Sequence, residues 1–457
     1  MNLDLLLLGA GVYAAQQYIQ GKAPAISEPK QGQTISYASF PAVLTVKGSS
    51  SRPLTLSLFT VAGPISSEQV SGNFTASLFV EGPGPHELKW SYKDSANNTI
   101  TSTISLSIKD TSVTSPLEWG QLHGVNWVSS IMKWKENLAQ PPTNSINPQD
   151  INKFMTICAN ANWNLIRLVV YQECYEAHRP AFFTEMKAII EAADQRGIAV
   201  VIDNHQWEIG GGMYAASLGV PKKYRQGYTA PVGPYEQAPA GSDTVKWWQD
   251  FYANNLRQFP NCHADLANYF DDIIDNVDSY ENVLGYEILN EPQTTQLVDY
   301  VNMGVMNDFI AQRIRARSNK DVLYCRDNSI GGWQPKNVER PKMIPNVSGV
   351  VYDNHSYSLT RMKNLFVNET NIAKEQNPNI KVLVGEWAAQ IQFDPTNILT
   401  LENEKFVLQL CKDNGYAIAW WALGHFGAGE WKRLANPDGT LRAEGNIYKQ
   451  AISEVYQ

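Results

Sequence analysis

The sequence predicts an α/β fold, a (β/α)8 TIM barrel preceded by a small all-β, Ig-like sandwich domain. Three patterns lead there. Residues 26–108 run in short period-two stretches rich in Thr, Ser, Val and Leu, punctuated by Gly, Pro, Asn and Asp, as antiparallel strands do. Beyond residue 118, eight apolar strand-like runs alternate with longer amphipathic stretches, the signature of βαβ units around a parallel sheet. Several of those runs end in polar residues, which a barrel carries to the rim where such folds keep their chemistry.

Bulk composition narrows the class of partner. At 457 residues, with 43% hydrophobic and 18% charged side chains, the chain has room for two or three folded domains and is not a disordered sequence. A formal net charge of -8 argues against a nucleic-acid partner, whose phosphates would be repelled. A neutral glycan meets no such objection. Twelve of the 13 Trp lie at or beyond Trp119, and flat sugar faces stack on indole rings. The five cysteines (158, 174, 262, 325 and 411) form no CxxC pair and no metal-ligand pattern, and their odd number leaves at least one free thiol. No cofactor and no metal are expected.

Taken in order, residues 1–21 hold an uncharged apolar run, Leu5 to Ala15 (LLLLGAGVYAA), about 16 Å long as a helix and roughly half of a bilayer core. Asp4 is its only early charge, where a secretory signal carries Lys or Arg. Three readings stay open: an atypical signal peptide, an uncleaved anchor for a membrane, cell surface or particle, or a helix packed on its own protein. The expected location is accordingly secreted, cell-surface or particle-associated. Residues 22–110 form the β module, whose stretch HELKWSYKDSANNTITSTISLSI resembles the last hairpin of bacterial Ig-like and cadherin-like repeats, one residue short between Tyr92 and Asp94. It serves as a glycan binder or as a spacer. Residues 111–117 read as a linker and 118–457 as the barrel.

The eight strand candidates are LHGVNWV, NLIRLVV, GIAVVIDNH, VLGYEILNE, DVLYCRDN, SGVVYDNHSY, VLVGEWA and AIAWWALG. Helix-like segments such as INKFMTICANAN, FFTEMKAIIEAADQRG and VDYVNMGVMNDFIAQRIRARS lie between them. The long Gly-, Pro- and Tyr-rich loop from Gln206 to about Thr244 follows the third strand, on the active-site face.

Strand 4 ends Asn290-Glu291-Pro292 and strand 7 ends Gly385-Glu386-Trp387; strand 6 ends His355-Ser356-Tyr357 and strand 3 ends Asp203-Asn204-His205. Alone, either Glu is an ordinary loop acid. Two carboxylates meeting over a barrel mouth suit glycosidic cleavage, which needs one acid to protonate the leaving oxygen and a second carboxylate to attack C1 or activate water. Arg167 sits mid-strand among Leu165, Ile166, Leu168 and Val169, where a guanidinium demands a carboxylate partner, and Glu386 is a natural one. A structural ion pair low in the barrel is the competing reading. An ionised nucleophile and a protonated acid/base call for environments that push their pKa values apart.

These motifs together resemble glycoside hydrolase family 5, the cellulase and mannanase family of retaining barrel enzymes, over about residues 118 to 430. The resemblance implies Glu291 as acid/base and Glu386 as nucleophile. It further implies Asn290 on the sugar 2-OH, Arg167 supporting the nucleophile, and His205 at the substrate site. His355 and Tyr357 would orient the acid/base and contact the nucleophile, and Trp421 would be the platform under the sugar. Adjacent strand residues face opposite ways, so only one of Trp420 and Trp421 can face the site. Trp127, Trp207, Trp247, Trp248, Trp333, Trp387 and Trp431 are further stacking candidates, each equally a structural residue. The implied partner is a β-linked polysaccharide or oligosaccharide, with endo cleavage of β-1,4-glucan first and mannan, β-1,3-glucan or glycolipid headgroups as alternatives. Two rivals remain: a metal-dependent hydrolase using Asp203, His205 and His355, and a non-catalytic glycan-binding surface or virion protein.

Overall fold

The computed structural model describes residues 24–37, 42–60, 63–80, 84–94, 96–110, 118–127, 148–206, 219–229, 241–326, 328–329, 344–389, 398–423, 434–436 and 438–456. They fall into two compact units, Met1–Pro116 with Asp194–Gly197, and Leu117–Ala193 with Ile198–Gln457. The expected N-terminal segment 1–21, the linker 111–117 and much of the loop after the third barrel strand lie outside the described residues. Among the described residues no helix is long and apolar enough to cross a membrane.

The first unit is all-β, as its period-two pattern requires. Six strands, β1 (Ala25–Glu28), β2 (Thr34–Tyr37), β3 (Ala42–Thr60), β4 (Gly63–Val80), β5 (Gly84–Lys93) and β6 (Thr99–Asp110), form one hydrogen-bonded sheet. Pairing is antiparallel except between β2 and β6, which run parallel. β1 pairs β3 before Ser50–Leu54, where its register with β4 shifts, and β5 pairs it afterwards, so one edge of the long strand serves two neighbours while β4 takes the other. Alternate residues Leu54, Leu56 and Leu58 of β3 join Leu78, Leu88, Trp90, Ile104 and Leu106 in a common core.

The second unit is a closed barrel of eight parallel strands. These are β7 (His123–Trp127), β8 (Leu165–Val170), β9 (Ala199–Asn204), β10 (Val283–Glu287), β11 (Asp321–Cys325), β12 (Val350–Asp353), β13 (Lys381–Trp387) and β14 (Tyr416–Trp420). Every expected strand is present, and the runs GIAVVIDNH, VLGYEILNE, DVLYCRDN and SGVVYDNHSY leave the strand before their last polar residues. The expected helices are also found, at Pro148–Asn160, Gln172–Asp194 (bent at His178) and Leu297–Arg315.

Period two sorts the strand residues into an outer face packed on helices and an inner face filling the barrel. Leu165, Val201, Leu323, Val351, Leu383 and Ala417 form an apolar inner layer. Two residues further along five of those strands, the same inward positions become Arg167, Asp203, Cys325, Asp353 and Gly385. The barrel thus changes from greasy to charged toward its C-terminal end. All five cysteines are buried and free.

One outward contact ties the wall to its helix. The Trp387 indole N–H donates to Glu404 Oε2 at 3.0 Å, and Glu404 Oε1 has no hydrogen-bond partner. Glu404 lies in the helix Leu401–Asn414 and is fully buried. Burial pushes its carboxyl up to about 8, opposed by the Trp387 hydrogen bond. A folded-state value above the unfolded one means the protonated form stabilises the fold, fully below the unfolded pKa and progressively less as pH rises toward 8. Glu404→Gln removes this titration. Denaturant unfolding of both proteins at acid and at mildly alkaline pH should show the parent losing stability faster, by on the order of 1 kcal/mol per pH unit. Parallel profiles would mean that Glu404 does not hold a proton in the fold.

Candidate active site

The charged inner layer is organised on Arg167, which is wholly buried. Its Nε and Nη2 donate to the two oxygens of Glu287, each at 2.9 Å. Nη1 meets Asp203 at 2.9 Å, Asn126 Oδ1 at 3.0 Å and Glu386 Oε1 at 3.3 Å. Nη2 also reaches Asn290 Oδ1 at 2.8 Å, and Asp353 lies 3.4 Å from Nε. Glu386 is thus one of the carboxylate partners the sequence calls for, but not the main one. The two-point partner is Glu287, and Glu386 takes a longer, single contact. Burial disfavours the guanidinium charge, but Asp203, Glu287, Asp353 and Glu386 hold it ionised.

Glu386 owes its direction to a bulge. The pairing of β13 with β14 shifts register between Val384 and Trp387, which turns Trp387 out against Glu404 while Glu386 reaches Arg167. Gly385 is required just before it, since a Cβ there would collide with the Asp353 carboxylate, and its N–H donates to Asp353 Oδ1 at 2.7 Å. The Tyr357 hydroxyl donates to Glu386 Oε2. Burial pushes the Tyr357 phenol far up, with Glu386 and Glu291 adding, so it stays a donor.

Glu291 follows the end of β10 in a left-handed backbone conformation, φ +40°. Its Oε1 lies 2.8 Å from His355 Nδ1, and the same nitrogen is 3.7 Å from Glu386 Oε1. His355 Nε2 faces Asp353 Oδ2 at 3.3 Å and Cys325 Sγ at 3.8 Å. Burial works against a charged His355, but Cys325, Glu386 and Asp353 outweigh it and hold the ring protonated well above its usual range. Burial pushes the Cys325 thiol up to about 12, so near neutral pH the carboxylates carry this effect. For Glu291, burial raises the carboxyl, yet the His355 hydrogen bond and charge bring it below the usual range. The expectation of a raised acid/base thus fails for Glu291 alone. Glu291 and His355 form a pair whose proton rests mainly on the imidazole.

The remaining expected residues join the same network. His205 Nδ1 lies 2.7 Å from Asp203, its Nε2 lies 3.4 Å from Asn290 Nδ2, and its ring stacks on Trp421 with centroids 5.3 Å apart. Trp420 is buried on the outer side against Tyr448, so Trp421 is the one that faces the site. Trp127, Trp247, Trp248 and Trp387 are buried to within 1%, which removes them as sugar platforms. Trp207, Trp333 and Trp431 lie outside the described residues.

Sequence reasoning missed Asn126, Glu287 and the hub role of Asp353. Each was visible as a polar residue inside an apolar run, in step with the inward positions. It also missed Arg361, which donates to the His355 carbonyl, meets Asn354 Oδ1 at 2.9 Å and pairs with Glu369, fixing the segment that carries His355.

Among the described residues, two groups of side chains lie close enough to surround a cation: Glu287, Cys325, Asp353 and His355, and Glu291, His355 and Glu386. Neither is the Asp203, His205 and His355 set. In the first group Arg167 already supplies the positive charge, through its pairs with Glu287 and Asp353.

Among solved structures the chain is similar to endo-glycoceramidase II from Rhodococcus sp., in its lactosyl-enzyme intermediate, at 16% identity and TM-score 0.56 over 72% of this chain and 78% of that one. The ganglioside GM3 complex of the same enzyme gives 16% and 0.54, over 73% and 81%. A β-glucanase from Saccharophagus degradans in complex with cellotetraose gives 13% and 0.47, over 74% and 88%. No curated protein sequence gives a match. The family profile for cellulase, glycosyl hydrolase family 5, matches residues 126–427, well over half of the sequence and nearly the whole barrel, and the chain belongs to that family.

Proposed function

We propose that the chain is a retaining glycoside hydrolase acting on a β-linked glycan, with Glu386 as nucleophile and Glu291 as acid/base. The observation that carries this is the convergence of the two side chains. One oxygen of each and a ring nitrogen of His355 lie within 4.8 Å of one another. Retaining enzymes hold their carboxyl groups about 5 Å apart for direct attack on C1, whereas inverting ones leave about 6.5–9.5 Å for a water.

In this reading the proton shared by Glu291 and His355 passes to the leaving oxygen as Glu386 attacks the anomeric carbon. The glycosyl-enzyme forms, and Glu291 then withdraws a proton from the incoming water. Arg167 and Tyr357 hold the Glu386 carboxylate in place. Asn290 has its carbonyl oxygen fixed by Arg167, which leaves its NH2 turned toward His205, where a sugar 2-OH would lie. Trp421 supplies the apolar floor.

For substrate we propose endo cleavage of β-1,4-glucan. A glycosphingolipid belongs in the same panel, since the fold is shared with an endo-glycoceramidase. Incubation with β-glucan, β-mannan, xyloglucan and a glycosphingolipid, with the first-formed anomer read by NMR, should give retained configuration on one of them. Glu386→Gln should abolish accumulation of a glycosyl-enzyme from a fluorosugar probe, and near-normal turnover in that variant would sink the assignment. Binding without turnover in the parent would favour the glycan-binding reading.

The shared proton also sets a pH dependence. It leaves the pair only as the raised His355 titrates, so the alkaline limb of kcat/KM should lie above the ordinary carboxylic range. His355→Asn leaves Glu291 to hold its own proton, and the limb should move to lower pH by about one unit or more. A limb that stays where it was would rule out sharing.

A further inference from the structure

Past Glu287 the main-chain ladder between β9 and β10 ends, yet the next residues remain tied across the gap, largely by side-chain amides. Asn290 N–H donates to the Asn204 carbonyl at 3.0 Å, and Asn204 Nδ2 donates to the Ile288 carbonyl at 2.9 Å. Gln206 goes further. Its Nε2 donates to the carbonyl of Asn290 at 2.8 Å and to that of Glu291 at 2.9 Å, and its own carbonyl accepts from Asn290 Nδ2 at 3.1 Å. The side chain is buried to 1%.

Those two carbonyls flank the Glu291 Cα. In an extended chain successive carbonyls point to opposite sides, and one NH2 cannot serve both. Here a single NH2 serves both, at the residue with φ +40°. A non-glycine residue in that region is strained and persists only where its surroundings fix it. Gln206 is itself pinned from behind. Gly219, at φ +113°, lies so close that a Cβ on it would collide with the His205 carbonyl and with Gln206 Cα.

We propose that Gln206 is a positioning residue for Glu291, holding the left-handed backbone that aims the carboxyl at His355 and at the scissile oxygen; this rests on the acid/base reading of Glu291. Gln206→Glu keeps the volume and sets a carboxylate oxygen against the two carbonyl oxygens. Gln206→Met removes both donors without adding charge. An acid/base that is aimed wrongly harms substrates whose leaving group needs protonation and spares those that do not. A general loss of structure harms both alike.

The test compares kcat/KM on phenyl and dinitrophenyl β-cellobiosides, with thermal melts of each variant. Both Gln206 variants should lose about 10- to 100-fold on the phenyl substrate and less than about threefold on the dinitrophenyl one, with melts close to the parent. Equal losses on the two substrates, no loss on either, or failure of both variants to fold would overturn the proposal. Glu291→Gln, measured beside them, separates the two ideas. If it gives the leaving-group split and the Gln206 variants do not, only the role of Gln206 falls. If Glu291→Gln gives no split, or the parent cleaves neither glycoside, the acid/base reading beneath it falls.

Discussion

The site depends on the burial of one guanidinium. Arg167 has no exposed surface, and removing such a charge from water is tolerable only where opposite charge and hydrogen bonds replace the water. Glu287 answers with two parallel bonds, and Asp203, Asp353 and Glu386 close in around it. Four carboxyl groups face one guanidinium, and burial pushes the carboxyl of Glu287 well above the usual range against the pull of Arg167. His355, between Asp353 and Glu291, brings a second positive charge when protonated. The protonation of His355 is therefore part of the charge balance of the barrel interior.

This coupling explains why the two glutamates behave differently although both stand at strand ends. Glu386 is held by the guanidinium directly, at 3.3 Å from Nη1. Glu291 touches the hub only through His355, and so shares a proton with it. The two glutamates thus differ in how they meet Arg167, one by direct contact and the other through His355. Asp353 lies at the crossing of both arms: it meets Arg167, receives the Gly385 N–H and faces His355.

The barrel was legible because period two and apolar strand cores are local properties, and each of the eight strand runs carried its own signal. Seven of the eight proposed site residues could be named for the same reason, since each stood in a short motif at a strand end, while Arg167 stood out as a charge inside an apolar strand. What the chain did not disclose was who touches whom. Alternation tells which face a residue occupies, and not which residue of another strand lies opposite it, so Arg167 was matched to Glu386, which it does touch, while its two-point partner Glu287 went unread. The tryptophans failed as guides for a related reason. Trp247, Trp248 and Trp387 have the same composition signal whether they line a cleft or pack a wall, and burial decides between them.

The location of the chemistry has a cause in the backbone as well. Inside a β-ladder each residue's direction is fixed by the pleat, and neighbouring side chains must point to opposite faces. Converging two carboxylates on one atom needs orientations the pleat does not offer. Those become available only where the ladder is broken, as at the bulge that turns Glu386 and at the left-handed residue Glu291 just past the end of β10. Such breaks leave carbonyls and N–H groups to be satisfied by other means. Here the Asp353 carboxylate takes the Gly385 N–H, the Asn126 amide takes the Gly385 carbonyl at 2.7 Å, and Gln206 takes the carbonyls around Glu291. The polar inner layer thus does two things at once: it balances Arg167, and it replaces the main-chain hydrogen bonds that the reactive geometry gives up.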